Sequence, residues 1–432
     1  MKKTAAWISV FSACLAYVLA GAGAAHSEVR YEVTPSISVS EEYDDNIYLD
    51  AENEQSDYMT NVTPSVKLDM VSERGNLAFK YAPTFVRYHK RSENNTVRHN
   101  ASLEFNRALS ERLDFSFTDT FLRSEDPLSE LEMVDEVEGV RRTREPYYRN
   151  NARGGFTYRY GPSNTVTAGY GHSWLDNKDQ SVDDSTVHTP FANLTHWFDI
   201  QNGMDLSYTY TKADFESDEP GRLPGDDYTG HSMGGGYTRR FTEHTSLRVG
   251  YSFTTRDFDG ETSDYVVHEP SATLSHAFSE FTSGSLTVGY FFQDRDRGQD
   301  SSGPSFSGSI TRRIERGSVS FSARGGWDEA YQEAERTGFS KYWGVNGDLS
   351  YALRERLTAT AGASYRHDTQ EEPGDRSWDT WRANCGLNWS FMRWFSLSLT
   401  YTHTERDHDI PTEDYKDNRV MLSISGSRLF RW

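Results

Sequence analysis

Residues 247–253 read Leu-Arg-Val-Gly-Tyr-Ser-Phe, an alternation of apolar residues with small or polar ones. Residues 286–292 and 396–402 carry the same alternation. Because successive side chains of a β-strand point to opposite faces, each segment has one apolar face and one polar face. The pattern predicts half-buried strands, which occur in soluble β-sandwiches and in membrane barrels.

The connections between these segments separate the two classes. Short ones, such as 241–244 and 353–356, take turns with longer acidic or Gly/Pro-containing ones, such as 216–226 and 369–377. Transmembrane barrels have short periplasmic turns and long external loops, whereas a sandwich gives no reason for a strict alternation. We therefore predict an all-β fold, a single transmembrane antiparallel up-and-down β-barrel.

The same pattern gives a strand count of about twenty, with eighteen as the alternative. The predicted strand starts lie near Tyr31, Ser56, Asn76, Thr96, Leu113, Tyr147, Thr165, Val187, Met204, Thr229, Thr245, Tyr265, Ser285, Ser305, Ser318, Tyr342, Leu357, Trp378, Phe395 and Arg419. An even count places both termini in the periplasm, and a barrel this wide leaves an aqueous lumen.

The first 27 residues differ in composition from the rest of the chain. Lys2 and Lys3 precede the apolar stretch 5–20, and small residues follow it. This order is typical of a secretory signal peptide. We therefore expect a signal peptide over 1–27 and an outer-membrane barrel over 28–432.

Composition limits the partners and the chemistry. A formal net charge of −20 disfavours a nucleic-acid partner. Beyond the predicted signal peptide only Cys385 remains, so no disulfide within the chain is expected. Cys385 is expected on the lipid-facing side, between Ala383 and Leu387.

The polar face of the predicted strands would line the lumen and is rich in arginine. If the arginines line the pore, they favour anionic solutes. The alternative is that they pair with acids of the same face or only hydrate a wide pore. The arginine candidates are Arg149, Arg153, Arg159, Arg248, Arg324, Arg366 and Arg382. The acids are Glu104, Asp114, Asp205, Glu269, Asp328 and Asp348.

The longest connection runs from about residue 125 to 145 and is the third external loop. It contains apolar residues that favour burial, so it could fold inward as a constriction, with a mobile surface loop as the alternative. The constriction candidates are Leu131, Glu132, Val134, Asp135 and Glu136. Acidic loops such as 41–46 and 294–298 lack the full spacing of a calcium loop, so they are expected to be solvated acid and not a metal site.

Enzyme motifs are absent from the sequence: there is no phosphate-binding glycine loop, HExxH, CxxC pair or GxSxG turn. His172-Ser173 and His403-Thr404 are neighbours in predicted strands, so their side chains point to opposite faces and do not form a nucleophile–base pair. We predict neither an enzyme nor a cofactor.

Aromatic residues near strand ends are typical of interfacial girdles. The girdle candidates are Trp174, Trp327, Trp343, Trp378, Trp389, Trp394 and Trp432. At the C-terminus, Val420, Leu422 and Ile424 alternate with small or flexible residues, and Phe430 and Trp432 continue their parity. Such an ending resembles the signal that the barrel-assembly machinery reads.

The N-terminal part carries short motifs: 35–49, Ser56-Asp57, Val62 to Val66, and Tyr81-Ala82-Pro83. With these motifs the chain resembles the second putative β-barrel porin family of Gram-negative bacteria. The resemblance implies a large outer-membrane barrel of a kind often associated with exopolysaccharide or exosortase systems.

Together these features predict an outer-membrane porin or conduit, which the family resemblance directs towards exopolysaccharide export. The alternatives are a passive-diffusion porin and a structural protein that anchors matrix polymer. The expected partners are outer-membrane lipids and lipopolysaccharide, the exopolysaccharide and polysaccharide-export proteins.

Overall fold

The computed structural model describes residues 29–127, 142–217, 225–331, 338–370 and 376–432. Twenty long antiparallel strands follow one another, and each pairs with the strands before and after it. β1 pairs with β20 as well as with β2, which closes the sheet into a barrel. The all-β class and the count of twenty are confirmed, and the eighteen-strand alternative is wrong.

The strands are β1 Arg30–Asp44, β2 Asp57–Ser72, β3 Gly75–Tyr88, β4 Thr96–Ala108, β5 Leu113–Ser124, β6 Tyr147–Arg159, β7 Thr165–Asn177, β8 Asp184–Trp197, β9 Asn202–Glu216, β10 Tyr228–Arg240, β11 Thr245–Phe258, β12 Tyr265–Ser279, β13 Thr282–Arg295, β14 Ser301–Ile314, β15 Gly317–Ala330, β16 Gly338–Arg354, β17 Leu357–Gln370, β18 Arg376–Trp389, β19 Phe395–His408, β20 Tyr415–Ser427 and β21 Phe430–Arg431. Two short 3₁₀ turns, Ser92–Asn94 and Pro411–Glu413, are the helical elements of the described ranges. No helix in those ranges is long and apolar enough to cross a membrane.

The apolar face of the alternating strands is the outer face of the barrel. In β11, Val249 and Tyr251 are 55% and 49% exposed, and Arg248 points the other way. The face of β11 that carries Arg248 also carries Arg256, which approaches Glu329 of β15 to 2.7 Å, although three strands separate them. Two strands so far apart in the sheet can meet only through the interior of the barrel. The opposite face, which carries the large exposed apolar residues, is therefore the outer face, as in barrels that contact lipid.

The two ends of the barrel differ as the sequence predicts. One end, the short-turn end, has tight connections such as 198–201, where the Asp199 carboxylate accepts hydrogen bonds from the Gln201 and Asn202 amides at 2.7 and 2.8 Å. The Asn202 side chain and these amides hold the pKa of Asp199 below its ordinary value. The other end, the long-loop end, carries connections such as 45–56.

The C-terminus extends the last strand along β1. β21 pairs with β1 at Val33 and Phe430, in the same register in which β20 pairs at Val39 and Ile424. Trp432 then exchanges backbone hydrogen bonds with Tyr31 at 3.0 and 3.1 Å. Because the register is continuous, Phe430 and Trp432 stay on the outer face, as their parity predicts.

Two tryptophans predicted for the outer girdles lie elsewhere. Trp378 is on the inner face, 5% exposed and stacked on His408. Trp327 contacts Glu269 of the inner wall through its indole N–H at 3.2 Å. Trp343, Trp389 and Trp432, by contrast, are exposed on the outside.

Candidate functional site

The inner wall is built from small side chains. β14 places Ser301, Gly303, Ser305, Ser307 and Ser309 on the inner face. Side chains of this size cannot fill a barrel of twenty strands, because only barrels of about eight strands pack solid. The structure therefore contains a polar lumen, and the candidate functional site is the wall of that lumen.

All seven predicted arginines point into the lumen, since each alternates with outward-facing apolar residues in its strand. Some of them pair with acids of the same face. Arg159 pairs with Asp114, Arg248 with Asp205, and Arg366 with Asp328 at 3.2 Å and Asp368 at 2.7 Å. The pairing alternative therefore holds for these three.

Glycines let the arginine side chains lie flat on the wall. Arg248 of β11 reaches Asp205 of β9 across β10, with Nε–Oδ1 at 2.9 Å. Gly236 is the β10 residue between them, and a Cβ atom there would collide with the Arg248 guanidinium. Gly236 thus clears the path of this ion pair.

Aromatic rings hold two further arginines in the same way. The Arg153 guanidinium carbon lies 3.6 Å from the Phe191 ring centroid, and that of Arg240 lies 3.7 Å from the Trp197 ring. The Trp197 ring in turn covers Gly203, where a Cβ atom would lie 2.7 Å from the indole. Stacking keeps the planar guanidinium extended along the wall, so the lumen stays wide.

Three predicted arginines line one cavity of the inner wall on β15–β18. Arg324, Arg366 and Arg382 lie there with Tyr342 and Asn346. The Arg366 guanidinium stacks on Tyr342 at 4.1 Å. We call this group the arginine cavity.

Above the arginine cavity, the β15–β16 hairpin leaves the wall. β14 and β15 pair only up to Phe306 and Gly325, while β15 and β16 stay paired to Ala330 and Gly338. Residues 326–331 of β15 therefore detach from β14 and move into the lumen, together with residues 338–340 of β16 that end the same hairpin. We call them the inward hairpin.

The inward hairpin packs on the inner wall of β8–β13. Phe339 joins a buried apolar cluster with Val267 and Phe291, and Trp327 and Tyr331 pack against it. Burial raises the pKa of the Tyr331 phenol above its ordinary value. The inward hairpin thus narrows the lumen at the long-loop end.

A polar contact fixes the inward hairpin in place. The Glu329 carboxylate accepts hydrogen bonds from Arg256 at 2.7 Å and from the Tyr265 hydroxyl. One feature of the sequence indicates this hairpin and is missing from the strand prediction. Gly325-Gly326 interrupts the alternation of residue types just before Trp327. Trp327 has the outer-face parity that the sequence predicts for β15. The bend, however, turns this face of the hairpin towards the inner wall of the barrel.

The five predicted constriction residues, Leu131 to Glu136, lie outside the described residues, so their role stays a prediction. The two described ends of their loop turn inward. Glu125 is 1% exposed and bound by Arg98 at 2.7 Å, and Arg144 binds Asp44 at 3.2 Å on the inner side of β1.

The two histidines considered for enzyme chemistry lie on the outer face. His172 packs against His188 with ring centroids 5.1 Å apart, and His403 Nδ1 lies 2.9 Å from the Asn418 amide oxygen. Cys385 is an exposed free thiol on the same face. Neither histidine faces the hydroxyl of its sequence neighbour, because Ser173 and Thr404 point inward.

A closed barrel of twenty strands, with an apolar exterior and a polar, arginine-bearing lumen, is an outer-membrane barrel of the porin-like class. The model of the family described as "Putative beta-barrel porin 2" matches residues 271–428. The predicted resemblance to this family is confirmed over these residues, which lie in β12–β20 and not in the N-terminal motifs that suggested it. No curated protein matches the sequence.

Solved structures show the same fold. The siderophore receptor PirA from Pseudomonas aeruginosa is 11% identical, with a TM-score of 0.52 over 92% of this chain and 80% of that one. The FrpB iron transporter from Neisseria meningitidis is also 11% identical, with a TM-score of 0.54 over 92% and 81%. At this identity the likeness concerns the fold alone.

Proposed function

We propose that this protein is an outer-membrane conduit through which an extracellular polysaccharide bearing carboxylates leaves the cell. The short turns and both termini then lie in the periplasm, and the long loops lie outside. The family match and the porin-like fold support a conduit. The single observation that carries the choice of an acidic polymer is the arginine cavity.

The chemistry of the arginine cavity fits sugar carboxylates. A guanidinium forms two parallel hydrogen bonds to a carboxylate, and three of them on β15, β17 and β18 offer successive sites to a polymer. Arg366 already shares its charge with Asp328 and Asp368. Partial neutralisation keeps the Arg366 site weak, and conduction requires sites that release what they bind.

The inward hairpin confines the path of a polymer to one side of the lumen. It fills the lumen beside β8–β13, so the space left at this level adjoins the wall that carries the arginine cavity. A polymer leaving the barrel would therefore pass along the arginines.

The test uses purified barrel in planar bilayers, with a polyuronate oligosaccharide added on the short-turn side. We expect the acidic oligosaccharide to interrupt the current, and a neutral dextran of equal length not to. The double variant Arg324→Gln, Arg382→Gln should reduce the interruptions at least tenfold. The control Arg312→Gln changes an arginine of the outer face and should behave as the wild type. Equal interruption of all three proteins would contradict the proposal.

A secretion assay separates export from passive diffusion. A strain lacking the gene should retain its polysaccharide in the periplasm, and the wild-type gene should restore secretion. Unchanged secretion together with free passage of small solutes would identify a general porin instead.

A further inference from the structure

We propose that the seam of the barrel, where β1 meets β20 at the long-loop end, binds one divalent cation of the calcium type. The ligands are carboxylates of Asp44, Asp45 and Asp417. One oxygen from each lies within 4.8 Å of the other two. Oxygens that share a calcium ion at about 2.4 Å can lie no more than about 4.8 Å apart, so these three can bind one ion.

The expectation that this acidic stretch is solvated is wrong. Asp44 and Asp417 are both 0% exposed. Asp45 is half-buried and accepts hydrogen bonds from the Asn418 amide and side chain, each at 2.7 Å. Solvent therefore does not neutralise the two buried carboxylates.

One oxygen of Asp417 points independently to a missing ligand. Asp417 Oδ2 accepts a hydrogen bond from Arg419 Nε at 2.8 Å, but Asp417 Oδ1 is buried and accepts no hydrogen bond from the residues that the structure describes. A buried carboxylate oxygen without a donor costs free energy and requires an explanation such as a bound ion. A cation at the seam supplies the missing partner.

Buried acids and arginines meet at the seam. The described residues place buried carboxylates here at Glu42, Asp44, Glu125, Asp126 and Asp417. Arg98, Arg144 and Arg419 contact some of them. Buried charge is tolerated when it is paired or bound to a metal, so a divalent cation would stabilise this group further.

The loop that follows β1 is held rigidly enough to form a site. The buried Asn46 side chain donates to the carbonyl oxygens of Asp50 and Lys416 at 2.8 and 2.9 Å, and its oxygen accepts from the Asp50 amide at 3.0 Å. Leu49 adopts a φ of 53°, a conformation rare for leucine, and is fully buried. These contacts fix Asp44 and Asp45 against β20.

The occupant is a hard cation with oxygen ligands, because the site offers carboxylates and neither histidine nor thiol. Three protein carboxylates leave several positions of a six- to eight-coordinate ion for water, which is typical of calcium. Extracellular calcium sites of this kind bind with dissociation constants of about 10⁻⁴–10⁻³ M. If the long loops face outside, as proposed above, the site meets the external medium.

The experiment is calcium titration of the folded, detergent-solubilised full chain by isothermal titration calorimetry after treatment with EDTA. We expect one site in the wild type, and at least a tenfold loss of affinity in Asp417→Asn, which keeps size and removes charge. Asp259→Asn, in another long-loop connection, is the matched control and should bind as the wild type does. Calcium should also raise the Tm of the wild type and the control but not that of Asp417→Asn.

Absence of a calcium site in the wild type, or equal affinity in Asp417→Asn, would overturn the proposal, and the seam acids would then share protons. If Asp417→Asn does not fold, the half-buried Asp45→Asn takes its place with the same expected loss. The result does not depend on the polysaccharide, so the cation site and the proposed conduit can fail separately.

Discussion

Replacing Glu329 by glutamine should release the inward hairpin. The Arg256 and Glu329 side chains are 9% and 18% exposed, so water screens their 2.7 Å contact only slightly. The glutamine side chain would be neutral and of equal size, and it could still accept the Tyr265 hydrogen bond. Arg256 would stay buried with no carboxylate beside it, although its contact with the Thr255 carbonyl at 2.8 Å remains.

Removal of one partner from such a pair costs about 2–4 kcal/mol, most of it for the charge left unpaired. Each 1.4 kcal/mol is a factor of about ten, so the detached fraction of the inward hairpin should rise about 30- to 1000-fold. The apolar packing of Phe339 and Trp327 remains and limits the effect to the hairpin.

The assay is single-channel recording in planar bilayers. Glu329→Gln should visit a state of higher conductance that the wild type rarely reaches, while Glu243→Gln, in a short turn, should not. The double variant Arg256→Met, Glu329→Leu removes both charges and should return the channel towards the wild type, because no charge is left unpaired. Identical conductance states and dwell times in Glu329→Gln and the wild type would refute the reasoning.

Three further predictions concern the wall and the turns. Gly236→Val should displace the Arg248 guanidinium from Asp205, because a Cβ atom collides there, and the anion-to-cation permeability ratio measured by reversal potentials should change. Gly338→Ala should destabilise the inward hairpin by about 1 kcal/mol, because Gly338 has a φ of 67°, and more frequent high-conductance openings would report it. Asp199→Ala should weaken the β8–β9 turn and lower the urea midpoint at neutral pH. Because the pKa of Asp199 is lowered in the fold, this stabilisation is present above the ordinary aspartate pKa of about 3.9 and is lost as the pH falls through the lowered pKa, so the difference between variant and wild type should vanish in acid.

The strand pattern could be predicted because it is local. Alternation of residue types decides which face each side chain takes, so the inward direction of Arg248 and Arg366 follows from the sequence. The largest errors in strand starts are at β14, β16 and β20, which begin at Ser301, Gly338 and Tyr415, each four residues before its predicted start. These extensions lie at the long-loop end, where a strand can rise above the lipid and no longer needs an apolar face.

The packing of the inward hairpin and of the seam could not be predicted in this way, because both depend on contacts between distant parts of the chain. Asp44 looks like a solvated loop acid until β20 places Asp417 beside it and Arg144 closes over it. Likewise, nothing near Trp327 in the sequence indicates that Glu269 and Arg256 will meet the hairpin.

The central claim is that the lumen conducts and that its arginines act on what passes. The most direct measurement is the reversal potential of the purified barrel in planar bilayers across a tenfold KCl gradient, for the wild type and for Arg324→Gln, Arg382→Gln. We predict open channels that prefer anions in the wild type, and a clearly weaker anion preference in the double variant. A barrel with no conductance, or one whose ion preference is the same in both proteins, would contradict it.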